Sequence, residues 1–265
     1  MRYIINILLI LLLSANIRAQ APVTQYIPVE GEIGIFERLD TYLPKDIVLI
    51  DHLGQEKSFY DLLDKPTVIA LVYYRCPGIC SPFMTAVADV INSSNLEIGK
   101  DYQILTISFD MREGVELAKS NRNNYHNLIK KDFDEEGWKF FVADSANIAK
   151  VTEAVGFKYK KTGVDFSHTS AMIFVSKTGK ITRYLHGTYF LPIDLKMAVI
   201  ETSEDRSGPS MSRLLSYCYA YDPEGNRYVM NVTKVSGTII LFFTLVIFLF
   251  LVIKPRKKVQ SNQTN

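Results

Sequence analysis

Apolar residues are unevenly spaced along this chain, and their spacing divides it into elements. "TVIALVYY" (67–74) is a continuous apolar run, the pattern of a strand covered on both faces. "QILTISF" (103–109) predicts a second buried strand, and "KFFVA" (139–143) a short third one. "DIVLIDHLGQEKSFYDLL" (46–63) alternates instead around His52-Leu53-Gly54, which predicts a hairpin. "AMIFVSKTGKITRYL" (171–185) predicts another, turning at its glycine. Helical spacing appears at Phe83, Val87, Val90 and Ile91, and again at Ile148, Val151 and Val155, where Ser145 caps the start and Gly156 closes the end. A polar helix through about Lys131 follows the second strand, weakened by "SNRNN", and a last helix runs from about Pro192 to Glu201.

Strand, helix, strand, then hairpin and helix make an α/β sandwich with a mixed central sheet. The order matches a thioredoxin-like fold with an insertion between its halves. That domain is expected over residues 45–202, after an extended lead-in at 20–44 marked by Pro22, Pro28 and Pro44.

Both chain ends are more apolar than the body. Arg2 precedes an apolar core from Ile4 to Leu13, with Ile17 and Ala19 at plausible positions for cleavage before Gln20. Residues 1–19 thus read as a secretory signal peptide, the core being short for a membrane anchor. At the other end, 19 residues without a charge separate Lys234 from Lys254. At about 1.5 Å per residue they reach roughly 28 Å, so 235–253 reads as a transmembrane helix. "KPRKK" follows, which places the tail at 254–265 in the cytoplasm and the body outside it, on the periplasmic side. Between body and span, 203–234 reads as a linker rich in tyrosine. Thirty basic residues against 28 acidic ones leave a net charge of +2, so no nucleic-acid footprint is present.

Two of the three cysteines, Cys76 and Cys80, stand where the first buried strand ends and a helix begins. Ligands and reactive groups gather at that edge of open α/β sheets. Pro77 suits the first turn of a helix, and a helix N-terminus lowers thiol pKa values. The pair is therefore suited to a disulfide, a redox dithiol or two legs of a metal site. A structural disulfide is the plainer alternative, but so short a loop adds little stability. Zinc would need two further close ligands, and there is no second cysteine pair. Soft thiolates select Cu(I), and an added imidazole accommodates Cu(II). Of four histidines, His52 in a hairpin turn and His126 on a polar helix face are expected to be solvated, and His186 is the weaker candidate. His168 immediately precedes the strand opening the last hairpin, whose loop lies against the cysteine turn in a thioredoxin-like fold.

"YYRCPGIC", the "TISFD" strand ending at Asp110, and "SHTSAMIFVSKTGKITRYLHG" together resemble the Sco (SenC) family of copper-handling proteins. The likeness spans roughly Lys45 to Glu201. It implies copper, as Cu(I) or Cu(II), bound by Cys76, Cys80 and His168. It also implies partners: the copper-bearing subunit of cytochrome c oxidase, a copper donor and a thiol reductant. The family assists oxidase assembly, so the chain is expected to be a copper chaperone anchored to the membrane rather than an ordinary enzyme. The alternative is a thiol-disulfide reductase in which Cys76 attacks and Cys80 resolves; a peroxiredoxin-like or structural module is a third reading. Three features depart from the family pattern. The anchor lies at the C-terminus, Ser167 rather than an acid precedes His168 with Asp165 three positions away, and Cys218 falls outside the motif.

Overall fold

In the computed structural model, residues 33–208 are described, together with strands at 219–222 and 227–230 and a helix at 232–253. The central sheet has seven strands. In chain order they are β2 (Val48–Asp51), β3 (Glu56–Ser58), β4 (Thr67–Val72), β5 (Gln103–Ser108), β6 (Trp138–Val142), β10 (Ala171–Val175) and β11 (Ile181–His186). Across the sheet they run β11-β10-β4-β5-β6-β2-β3. β4, β5 and β6 are parallel, and every residue of β4 and β5 is buried, as their unbroken apolar runs require. The strands on either side are antiparallel, with Met172 opposite Ala70 and Ile50 opposite Val142. The sheet is thus mixed, in a thioredoxin-like arrangement.

Four helices serve this sheet: α1 (Cys80–Ser93), α2 (Val115–His126), α3 (Ser145–Ala154) and α4 (Pro192–Ser203). α1 buries Phe83, Met84, Val87, Val90 and Ile91, the stripe that its spacing predicts, and packs between α2 and α4. α3 starts where Asp144 rather than Ser145 supplies the cap, its carboxylate accepting from the Asn147 amide at 2.8 Å. α2 stops at His126, short of Lys131.

His126 is not solvated. It is 8% exposed, its Nε2 donates to the Trp138 carbonyl at 2.8 Å, and the rings of Phe133, Trp138 and Phe140 surround it. The polar helix face turns inward at that one position because the aromatic end of β6 needs a cover.

Before the sheet, β1 (Gly34–Ile35) pairs with β7 (Phe157–Lys158). Gly156 makes this docking feasible: its φ is +67°, and a Cβ there would collide with the Phe36 carbonyl oxygen. β8 (Lys160–Thr162) and β9 (Asp165–Ser167) form a separate hairpin inserted before β10. Farther on, β12 (Tyr219–Asp222) pairs with β13 (Arg227–Met230).

The expected C-terminal transmembrane helix is not supported. Among the described residues no helix is long and apolar enough to cross a membrane. A helix, α5, does run from Val232 to Ile253. The signal segment at 1–19, Cys218 and the basic tail at 254–265 lie outside the described residues.

Candidate metal centre

β4 ends at Val72 and the chain turns through Tyr73, Tyr74 and Arg75 before reaching Cys76. The turn is closed by the Cys76 amide donating to the Tyr73 carbonyl at 3.2 Å. It is held from behind by Glu113, whose carboxylate accepts from the amides of Tyr74 (2.6 Å) and Arg75 (2.8 Å). Pro77 does not lie in the helix: α1 begins at Cys80, with Ile79 as an N-cap that offers no side-chain acceptor. The amides left over at the helix start face the Cys76 sulfur instead. Gly78 N–H donates to it at 3.4 Å, and the Cys80 amide bonds it as well. Cys76 thus fills the place of a capping residue, in front of the helix rather than on it.

The two thiols are free and unlike. Cys76 is half-buried and Cys80 is 4% exposed. Donation from the Cys80 side chain, aided by the backbone amides and opposed by burial, lowers the Cys76 pKa to about 4. Giving that proton to Cys76, together with burial, pushes the Cys80 thiol well up. At neutral pH the pair is one thiolate and one thiol.

His168 follows β9 and precedes β10, and its neighbour fixes its tautomer. Nδ1 lies 2.8 Å from the Thr169 carbonyl, which can only accept, so Nδ1 carries the proton. Nε2 then turns its lone pair to the sulfurs, 3.4 Å from Cys80 Sγ and 4.0 Å from Cys76 Sγ. Neither Ser167 nor Asp165 orients the ring; a backbone oxygen does, with Tyr73, Phe109 and Phe157 packed around the imidazole.

The three donor atoms lie within 4.8 Å of one another, and among the described residues no fourth histidine, cysteine or carboxylate joins them. An ion bound at about 2.3 Å to sulfur and 2.0 Å to nitrogen in a trigonal plane would space S···N at about 3.7 Å. The two observed S···N distances bracket that value, so the donors fit a three-coordinate soft ion with little movement. His52 stays in the β2–β3 turn, His126 in the β6 aromatic cluster, and His186 bonds Glu37 at 2.7 Å; none reaches the sulfurs.

Asp110, the end of the strand motif, supports the site without pointing a free carboxylate at it. It is 4% exposed and held by Arg112 through contacts of 2.7–3.1 Å. Arg112 also donates to the Val164 carbonyl at 2.9 Å and lies over the Phe166 ring, which ties the β8–β9 hairpin to the end of β5. Sequence reasoning missed Arg112 and Glu113. The available signal was an adjacent charged pair directly after a buried strand, at the edge where sites form.

Fold and site together define a thioredoxin-like domain with a centre of two thiols and one imidazole at the carboxyl edge of its parallel strands. The chain belongs to the SCO1/SenC family, whose profile matches residues 40–202. Among solved structures, a candidate electron transfer protein of Aquifex aeolicus VF5 is 27% identical, with a TM-score of 0.57 over 63% of this chain and 95% of that one. A candidate electron transport protein of the same organism is 26% identical, with a TM-score of 0.54 over 63% and 99%. Copper-bound ScoI of Arabidopsis thaliana is 19% identical, with a TM-score of 0.48 over 60% and 96%. A search of curated proteins gives no match.

Proposed function

We propose that this protein binds copper through Cys76, Cys80 and His168 and serves assembly of the copper site of cytochrome c oxidase. One observation carries the reading: two sulfurs and a lone-pair nitrogen of fixed tautomer converge at a spacing suited to a trigonal soft ion. Three donors of this kind leave zinc short of its usual four. Thiolates suit Cu(I), and the imidazole admits Cu(II), so the ion is cargo that the centre can hold in either state. Cys76 supplies a thiolate ready at neutral pH, Cys80 releases its proton when the ion is taken up, and His168 offers the Nε2 lone pair that its Nδ1 bond to Thr169 leaves free. The oxidase subunit, a copper donor and a thiol reductant are the partners this reading needs.

We place the domain in an extracytoplasmic, oxidising compartment, on the strength of the apolar leader at 4–13. An alkaline phosphatase reporter fused after Gly208 should be active; an inactive, stably expressed fusion refutes the placement.

The asymmetry of the thiols supports a second reading as a thiol-disulfide reductase. The Cys76 thiolate would attack a target disulfide, forming a mixed disulfide and expelling one target thiolate. Cys80, losing its proton, would then attack Cys76 and release the other. His168→Ala separates the two. A copper protein loses its Cu(II)–thiolate absorption and, in cells at limiting copper, its oxidase activity; Cu(I) binding weakens less. A reductase keeps both thiol exchange and oxidase activity. Normal oxidase activity in that strain overturns the copper reading.

A further inference from the structure

Behind the Cys76 turn sits a buried carboxylate that binding copper does not itself require. Glu113 is 5% exposed. Its Oε2 accepts from the Tyr74 amide at 2.6 Å and the Ser108 hydroxyl at 2.7 Å, and its Oε1 accepts from the Arg75 amide at 2.8 Å. Three uncharged donors therefore hold an anion inside the protein. Ser108 in turn accepts from the Asp110 amide at 3.1 Å, so the end of β5 and the end of β4 are laced together through this one carboxylate. A bare turn would need none of this. Two neutral acceptors would satisfy the same amides without the cost of burying a charge.

The charge has an effect that the hydrogen bonds do not. The carboxylate bonds the amide of Arg75, the residue directly before Cys76, so its field reaches the pair. A fixed anion there penalises every state of the pair in proportion to its negative charge. Reduced and metal-free, the pair carries one negative charge. As a disulfide it carries none. With two thiolates it carries net −1 when holding Cu(I) and zero when holding Cu(II).

We propose that Glu113 is a positioning residue for the thiol pair, pinning the turn from which Cys76 departs and biasing Cys76 and Cys80 toward their less negative states. The inference rests on the reading of this pair as working thiols. It makes the pair a stronger reductant than its geometry alone would, and it favours Cu(II) over Cu(I).

The test is equilibration of the full chain with glutathione at neutral pH. In that reaction the protein disulfide and two glutathione thiols give the Cys76 thiolate, the Cys80 thiol, glutathione disulfide and one proton. Glu113→Gln removes the charge at nearly constant shape; Glu113→Asp keeps the charge and shortens the reach. The Gln variant should shift the equilibrium toward the reduced form by at least threefold, about 14 mV for a two-electron couple. The Asp variant should stay within twofold of wild type. No shift in the Gln variant, or equal shifts in both, overturns the charge role. The pinning is read on unaltered protein by hydrogen exchange. The Tyr74 and Arg75 amides should exchange at least tenfold more slowly than those of Gly163 and Val164 in the exposed β8–β9 turn, and equal rates overturn it. A wild-type pair inert to both glutathione and copper would fail differently, sinking the functional reading on which the inference stands.

Discussion

A thiol near pKa 4 beside a buried partner predicts a reactivity profile unlike that of free cysteine. The perturbation is pH, and the probe is a small neutral disulfide such as 2-hydroxyethyl disulfide. An ordinary thiol near pKa 9 is about 1% thiolate at pH 7, whereas Cys76 at about 4 is almost wholly thiolate. That is a gain of about 100-fold in reactive form. Lower basicity takes most of it back. With a Brønsted coefficient of about 0.45, five units of pKa slow the thiolate by roughly 180-fold. The two nearly cancel at pH 7, leaving Cys76 within about twofold of a free thiol. At pH 5 the free thiol has lost another factor of about 100 in thiolate while Cys76 has lost little, so Cys76 should lead by roughly 50-fold. The rate should be flat from about pH 5 to 8 and fall only as pH approaches 4. Loss of free thiol, followed by mass spectrometry across pH 3–9 beside N-acetylcysteine, measures it. A rate climbing about tenfold per unit between pH 6 and 8 would refute the thiolate assignment. Cys80→Ala should move the fall to higher pH, because the largest influence holding Cys76 down is the Cys80 donor.

Arg112→Ala tests the clasp on Asp110. Burial raises the Asp110 pKa, but the Arg112 bonds outweigh it and the net shift is downward. A carboxylate with a lowered folded pKa contributes stability above its ordinary value, and that stability is lost as pH falls through the folded value. Urea midpoints of wild type should therefore drop between pH 5 and 3 more steeply than those of the variant, in which only the residue-112 amide and the Arg75 charge still oppose burial; parallel slopes would count against the clasp. Gly156→Ala should cost roughly 1–3 kcal/mol, since alanine at φ +67° is strained and its Cβ meets the Phe36 carbonyl, freeing β1 from β7. Chemical denaturation reads the loss, and an unchanged midpoint would show that β1 docks without needing the glycine.

The parts of the fold that were legible are those written in local periodicity. β4 and β5 announce themselves as buried strands, the β2–β3 and β10–β11 hairpins as apolar runs around glycine turns, and α1 as a stripe every three or four residues. The site was legible for a related reason: Cys76, Cys80 and His168 all sit next to strand ends, so placing the strands places them. What escaped depends on contacts across the fold. Nothing local in "NRNNYH" shows that its histidine closes over Trp138, more than ten residues on. The β8–β9 hairpin is polar on its Lys160–Thr162 arm and carries no alternation to find. Glu113 reads as one more surface acid until β4 and β5 are laid side by side. The helix start at Cys80 instead of Pro77 reflects a sulfur acting as cap, a role that propensity tables assign to oxygen.

The backbone bond that orients His168 sets a rule about chain length. Three steps separate the imidazole from Ala171, where β10 locks into register with β11 opposite His186. Its ring answers to a carbonyl one residue away, so side chains at 169 and 170 can change without turning it. Removing a residue there is another matter. The ladder would keep its register, and the histidine would be dragged about 3.3 Å along the chain and turned toward the opposite face. The strands of the β8–β9 hairpin just upstream pair only with each other, so its exposed turn can change length at the cost of the Arg112 bond to the Val164 carbonyl. Descendants of this chain should vary in length up to Asp165 and be constant in length from His168 to Ala171, a boundary that library screens with single-residue insertions and deletions would draw directly.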